Sequence, residues 1–176
     1  MMKMEILNLL YKNLKGMIYE KNYIDVSCVF ININRMCRRK NWRHAKLELR
    51  DKKIYVIGEN KPYTGTFIEK YKNGNLWERA TFKNGVAHGK KEIYYKEGQL
   101  AALTAYKEGK KDGLERVYDK NGNLQVEAMH KNGKLNGALK VYYENGQLWG
   151  ESKYRNGVQR APTEWYDENG NPKSSS

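Results

Sequence analysis

The sequence predicts a mainly β protein, an elongated antiparallel meander of β-hairpins made of about four and a half 24-residue repeats, with a short α+β segment at the amino terminus. Three observations predict this fold: glycines at fixed intervals, Asn-Gly pairs where the chain would turn, and alternating apolar and polar residues between the turns. We expect an amino-terminal cap at 1–53, the repeat array at 54–172 and a disordered tail at 173–176.

The amino-terminal segment does not follow the repeat pattern. Residues 4–17 carry apolar side chains at helical spacing, residues 23–34 alternate as a strand does, and residues 46–57 indicate one or two further strands. We expect the helix to pack over the start of the apolar face of the sheet and the strands to extend the sheet. A separate small α/β domain that binds the partner by itself is the alternative.

A grid of glycines defines the repeat. The intervals between grid glycines are 9, 11 and 4 residues, which sum to 24, and a tyrosine and a leucine recur five and eleven residues after the first glycine. A fixed period of this length is typical of one supersecondary unit copied along the chain. Thirteen of the 16 glycines lie on this grid: Gly65, Gly74, Gly85, Gly89, Gly98, Gly109, Gly113, Gly122, Gly133, Gly137, Gly146, Gly157 and Gly170.

The turns predict how the strands pair. Asn-Gly between strand-like runs favours a two-residue type I′ turn, and the chemistry recurs at the second and third glycine of each unit. Each repeat is therefore expected to hold two antiparallel strands. With that turn, positions 4, 6, 11, 13, 15 and 17 after the first glycine share one largely apolar face, and the opposite face is polar with an aromatic stripe.

The unit G-x4-YY-x2-G-x-L-x5-Y-K-x-G-x3-G resembles the bacterial variant of the MORN repeat, an aromatic and glycine-rich β-hairpin motif. The stretch KPYTGTF at 61–67 looks like the usual beginning of such an array, and the resemblance covers about residues 54–172. It implies an antitoxin or immunity protein that neutralises a toxic partner. Other MORN arrays serve as protein scaffolds or have been proposed to bind membrane lipids, and the family offers no catalytic residues to carry over.

Positive charge is concentrated before the repeats. The chain has a net charge of +13 at pH 7, and residues 35–53 hold nine Lys or Arg against Glu48 and Asp51. Such a cluster, with Trp42 beside it, suits phosphates and stacked bases, an acidic protein surface, or solubility alone. Nucleic acid is thus a candidate partner, directly or through a nucleoprotein target. The basic patch consists of Arg35, Arg38, Arg39, Lys40, Arg43 and Lys46.

The sequence does not favour catalysis, a cofactor or a metal. Its histidines lie in different contexts with no nucleophile and base beside them, and His130 in an aromatic column suits a filler better than a metal ligand. Cys28 and Cys37 lack metal or redox spacing and are expected to be reduced in a cytoplasmic protein. No run of apolar residues is long enough to span a membrane, so a membrane partner is not favoured.

Binding remains as the expected function. Tyr and Trp in a charged surround are enriched at interface hot spots, although cross-strand stacking alone would also explain them. We predict a non-enzymatic protein-binding module, an antitoxin-like or inhibitory factor that blocks a larger effector, with a nuclease and an anti-CRISPR-type role included. The alternative is an adaptor for RNA or an anionic membrane surface that uses residues 35–53. The predicted partner-binding residues are Trp77, Tyr94, Tyr118, Tyr142, Trp149 and Tyr166.

Overall fold

The computed structural model describes residues 47–173, whose regular elements are all β-strands. The predicted helix at 4–17, the strand at 23–34, the basic patch and residues 174–176 lie outside the described residues. In chain order the strands are β1 (Leu47–Arg50), β2 (Lys53–Val56), β3 (Gly65–Lys70), β4 (Leu76–Lys83), β5 (Val86–Tyr94), β6 (Leu100–Lys107), β7 (Lys110–Tyr118), β8 (Leu124–Lys131), β9 (Lys134–Tyr142), β10 (Leu148–Arg155), β11 (Val158–Gln159) and β12 (Glu164–Trp165).

The strands β3 to β12 form one antiparallel sheet. Each strand from β3 to β10 pairs with the next one along the chain, and β12 also pairs with β10, beside β11. Each 24-residue unit therefore contributes two strands, and the predicted hairpin meander is confirmed. The two short strands at the end cover the outer edge of β10, where β11 pairs at Tyr154 and Arg155 and β12 pairs at Gly150 and Glu151.

The hairpin of β1 and β2 confirms the strands predicted at 46–57, but these strands do not extend the main sheet. They pair with each other around a turn at Asp51 and Lys52, which have φ of 48° and 64°. The hairpin meets the main sheet at the turn between β4 and β5, where the Ile54 amide donates to the Gly85 carbonyl at 2.8 Å. A Cβ at Gly85 would lie 2.8 Å from the Cβ of Lys53, so glycine permits this close approach.

The turns at the third glycine of each unit have the predicted two-residue geometry. Both central residues have positive φ, about 50° to 53° for the first and 79° to 83° for the glycine, as a type I′ turn requires. The first central residue is Asn84, Asn132 or Asn156 in three of these turns, because asparagine tolerates this backbone region better than most residues. Glu108 holds the same conformation in the fourth.

The turns at the second glycine differ from the prediction of a two-residue loop, which is wrong there. The Tyr71 amide donates to the Asn75 carbonyl at 2.8 Å, and the Gly74 amide donates to the Tyr71 carbonyl at 3.0 Å. Three residues therefore lie between the last paired residues, and of these only Gly74 has positive φ. The same bonds recur in the next three units, and a β-bulge follows each of these turns.

The bulge changes which side chains share a face. Leu148 lies opposite Tyr142, whereas Gly150 lies opposite Val141, so Trp149 is the extra residue between them. Position 11 therefore joins the tyrosine face, and positions 13, 15 and 17 stay on the other face as predicted. We call the tyrosine face the open face and the other the buried face.

The buried face is most apolar towards the carboxyl-terminal end of the array. A row across the sheet joins Val117, Val126, Val141 and Gly150 to Trp165, and Ala128 and Leu139 complete the cluster. Charged and polar side chains share this face with apolar residues on β4 to β8, among them Glu78, Lys91, Thr104, Lys111, Glu115 and His130. The expectation of a largely apolar face is therefore confirmed only in part, because ion-paired side chains interrupt it on these strands.

Candidate binding surface

The open face carries a row of alternating charges. Opposite charges on neighbouring strands lie directly across from each other, the arrangement in which cross-strand ion pairs form. The row is interrupted by Leu103 between Glu92 and Arg116, and it ends in two like charges, because Glu151 lies opposite Glu164. Its ion pairs, with N–O distances from 2.8 to 3.8 Å, are Arg79–Glu92, Arg116–Glu127 and Lys140–Glu151.

Four of the six predicted binding residues lie together beside this row. Tyr94, Tyr118, Tyr142 and Tyr166 are all half-buried and follow the charged position by two residues in each unit. The Tyr94 hydroxyl donates to Glu92 Oε2 at 3.2 Å, and the Tyr166 hydroxyl donates to Glu164 Oε2 at 3.0 Å. The four tyrosines are therefore partly open to solvent, and carboxylates hold the hydroxyls of two of them.

The charge row also acts on the tyrosine hydroxyls. Burial and the adjacent Glu92 carboxylate raise the pKa of Tyr94, and burial with the charges of Glu127 and Glu151 raises the pKa of Tyr142. These phenols therefore stay protonated at neutral pH and can donate hydrogen bonds. Each offers an apolar ring and a polar tip to a partner.

Cross-strand stacking does not account for these four rings. They recur on every second strand, a spacing of roughly 9.6 Å, and within residues 47–173 they make no ring contact with one another. The ring contacts there involve other aromatic residues. The stacking explanation therefore does not apply to this ladder, which we call the tyrosine ladder.

The structure does not bring Trp77 and Trp149 into the ladder. Both stand at the bulge position, and the Trp149 ring lies 6.0 Å from Tyr143 and 5.3 Å from Trp165, packed against the apolar cluster. Trp77 contacts Tyr71 at 6.4 Å between ring centroids. The alternation of the sequence had placed both on the tyrosine face, but the bulge shifts the register by one residue.

A second set of tyrosines joins neighbouring repeats. The hydroxyls of Tyr71, Tyr95 and Tyr143 donate to main-chain carbonyls 23 residues further on, at 2.7 to 2.9 Å. In the third unit Asp119 takes this position and instead accepts from the amides of Asn121 and Asn123. The sequence signal for this structural role was the doubled tyrosine of the second and fourth units, at 94–95 and 142–143, which the prediction interpreted as one ladder residue and one residue of the opposite face.

Polar side chains of the buried face are held by ion pairs. Glu78 lies 3.0 Å from Lys91, and Glu115 contacts Lys111 and accepts from His130 Nε2 at 2.7 Å. Burial alone would raise the pKa of Glu115, but the hydrogen bond from His130 and the Lys111 charge lower it to about 2. His130 thus binds a carboxylate, and the described residues contain no cluster that could hold a metal.

The pKa of Glu69 shifts in the opposite direction to that of Glu115, and this gives a testable prediction about stability. Burial, together with the charge of Glu78 directly across the sheet, raises the pKa of Glu69 to about 7. The ionised form is disfavoured in the folded state, so wild-type stability falls as pH rises from about 4.5 through 7. After a discount for partial exposure, we expect Glu69→Gln to raise the free energy of unfolding by about 1 kcal/mol at pH 8 and by almost nothing at pH 4.

Urea unfolding at the two pH values checks this prediction for Glu69. The exposed turn residue Glu97 provides the control, because Glu97→Gln removes one negative charge without relieving a buried carboxylate. An equal gain from both variants, or a gain from Glu69→Gln that does not depend on pH, would contradict the prediction.

A comparison with known protein families identifies the family to which this chain belongs. The profile of the MORN repeat variant matches residues 63–84, 87–108, 111–132 and 135–156, four segments that together cover half of the chain. This chain belongs to the MORN repeat variant family. Each MORN segment contains one three-residue loop and its two flanking strands. No curated protein matches the chain significantly.

MORN repeats generally act as modules that bind proteins or membranes, and this is the function class of the chain. Among residues 47–173 there is no helix of the length and apolar character that a membrane crossing needs. The open face of this MORN array is accordingly the candidate binding surface.

Proposed function

We propose that this MORN-variant protein is a non-enzymatic inhibitor that binds a larger effector protein through its open face, as an antitoxin does. The observation that carries the proposal is the tyrosine ladder beside the alternating charge row, repeated at the same step along the sheet. A nuclease is an effector class that fits the net charge of +13, because a basic protein can occupy surfaces next to bound nucleic acid.

The chemistry of the open face suits a protein partner. Half-buried tyrosines offer large apolar area with few rotatable bonds, so little side-chain entropy is lost on binding. Hydrogen bonds to Glu92 and Glu164 already restrain two of the ladder rings. The charge row beside them provides polar contacts of both signs, which favours one register of a partner over others.

Two carboxylates of the buried face are engaged as structural ion-pair partners, which is the state expected in a non-enzymatic protein. Glu78 and Glu115 are both engaged in ion pairs on the buried face, and Glu115 is held ionised by Lys111 and His130. A general acid or base needs a pKa near the operating pH, and the pKa of Glu115 is about 2.

Substitution of two tyrosines of the ladder by alanine tests the proposal. The partner is first identified by copurification from the source cells and is then purified for titration. We expect Tyr118→Ala with Tyr142→Ala to weaken binding about 30-fold, because central aromatic residues dominate most interfaces. Inhibition of the partner's own activity should weaken in parallel, while the thermal unfolding midpoint checks that the sheet persists.

The matched control is a double change at exposed turn residues, Lys96→Ala with Glu144→Ala, which leaves the open face intact. This control should bind like the wild type. Undiminished binding by the tyrosine variant would place the interface elsewhere, and binding without any effect on the partner's activity would contradict the inhibitory role.

A further inference from the structure

One edge of the main sheet carries exposed, unpaired cations. The edge consists of the four two-residue turns at the third glycines, and basic residues flank each of them. Each of these cations is exposed, and none has a carboxylate partner among residues 47–173. We call this set the cationic edge; it consists of Lys83, Lys107, Lys110, Lys131, Lys134 and Arg155.

The cationic edge contrasts with both faces of the sheet. On the faces, several lysine and arginine side chains lie against carboxylates, as Lys91 does against Glu78. On the edge, Lys107 lies directly opposite Lys110, and Lys131 opposite Lys134. Like charges in directly opposed positions destabilise a sheet. Folding thus gains nothing from these pairs, and their charge is available to an external anion.

Two successive turns also form a depression between them that suits an anion. A shallow depression between two turns is lined by Lys107, Lys110 and Lys131, together with Glu108, Asp112 and Asn132. Asp112 is already engaged there, because its Oδ2 accepts from the Asn132 amide at 3.0 Å. The depression is therefore lined by three lysines and two carboxylates, those of Glu108 and Asp112, and its charge is positive by one.

We infer that the cationic edge binds the phosphate backbone of single-stranded nucleic acid. Successive turns are two strands apart, roughly 9.6 Å, so the cations repeat along a line as phosphates do. Each strand is rotated by about 20° to 25° from its neighbour, so this line winds around the axis of the sheet. A flexible strand can follow such a line, whereas a flat membrane would meet only one or two turns at a time.

The contact is expected to be independent of sequence. The central turn residues are Asn, Glu and Gly, which offer no ring on which a base could stack. Phosphate contacts supply affinity and register without base recognition. This inference rests on the edge alone and does not depend on the tyrosine ladder or its partner.

The experiment compares two variants of the full chain with equal loss of charge. One replaces Lys107, Lys110, Lys131 and Lys134 by Gln on the cationic edge. The other replaces four exposed lysines at or near the opposite turns by Gln, namely Lys70, Lys72, Lys96 and Lys173. Binding of a labelled oligouridylate is measured by fluorescence anisotropy over a range of salt concentrations.

We expect the edge variant to bind about tenfold more weakly at low salt and the control to change less than about threefold. Four lost phosphate contacts should also reduce the slope of log affinity against log salt by about 3 for a single strand. Equal effects of the two variants would overturn the inference. So would unchanged binding by the edge variant, since residues 35–46 would then account for the affinity, or no binding by the wild type.

Two further probes separate other anions from nucleic acid. Vesicles containing phosphatidylserine and a polyglutamate peptide are titrated with the same three proteins. We expect neither probe to discriminate between the edge variant and its control. The inference would be overturned if either probe bound more tightly than oligouridylate and its binding depended on the cationic edge. The ligand of the edge would then be a lipid surface or an acidic peptide.

Discussion

Replacement of Glu115 by Gln is expected to lower the free energy of unfolding at pH 7 by about 3 kcal/mol. The carboxylate is mostly buried, contacts Lys111 and accepts from His130 at 2.7 Å. Its pKa falls from 4.5 to about 2 on folding, and each tenfold change in an acid dissociation constant corresponds to about 1.4 kcal/mol. Glutamine keeps the shape of the side chain but leaves His130 and Lys111 without a negative partner.

The effect depends on pH in a defined direction. Because the folded-state pKa of Glu115 is depressed, its contribution is fully present above about pH 4.5 and disappears as the pH falls toward 2. Wild type and variant should therefore differ at pH 7 and converge near pH 2. Urea unfolding followed by tyrosine and tryptophan fluorescence measures the difference across this window.

An open-face ion pair provides the control for Glu115. Glu127 also pairs with a cation, at 2.8 Å from Arg116, but Arg116 is 39% exposed. Exposed pairs contribute little, so Glu127→Gln should cost less than about 1 kcal/mol. If both variants lost the same stability, burial of the Glu115 network would not be the source of its strength.

The repeat could be predicted from the sequence because glycine and asparagine act locally. A type I′ turn needs two adjacent residues with positive φ, and Asn84 with Gly85 meets that need with no help from the rest of the chain. Two strands per repeat, and the position of half of the turns, follow from such pairs. This is why the meander and the tyrosine ladder were both predictable.

The bulges were not predictable in the same way. Asn73 and Gly74 also form an Asn-Gly pair, but there the loop has three residues and only the glycine has positive φ. The choice between the two loops depends on cross-strand hydrogen bonds that a single segment does not reveal. One extra residue per strand was enough to move Trp149 from the expected tyrosine face to the apolar cluster.

The charged part of the buried face was missed because its partners lie far apart in sequence. Glu115 and His130 are separated by 15 residues and meet across β7 and β8. The sequence pattern favoured His130 as a filler in an aromatic column and did not single out Glu115. Strand pairing joins Glu115, His130 and Lys111 into one network, which only the register reveals.

Removal of the Trp165 side chain is expected to cost about 3 kcal/mol, the lower end of the range for large aromatic truncations. Trp165 on β12 lies directly opposite Gly150 on β10. Its ring occupies the space above that glycine, 2.9 Å from where a Cβ would stand. The ring also lies 5.3 Å from Trp149 and packs against the apolar cluster. Trp165→Ala thus removes the ring that covers the apolar cluster at the end of the array.

Trp77→Ala is the matched control, because Trp77 holds the bulge position in the first repeat and contacts Tyr71 alone among the described rings. It should cost less than half as much. Since each repeat contacts only its neighbours, loss of Trp165 should weaken the array from its carboxyl-terminal end. Amide hydrogen exchange should therefore accelerate in β9 and β10 of Trp165→Ala and stay slow in β4 to β6. Uniform acceleration across the sheet would instead mean that the array unfolds as a single cooperative unit.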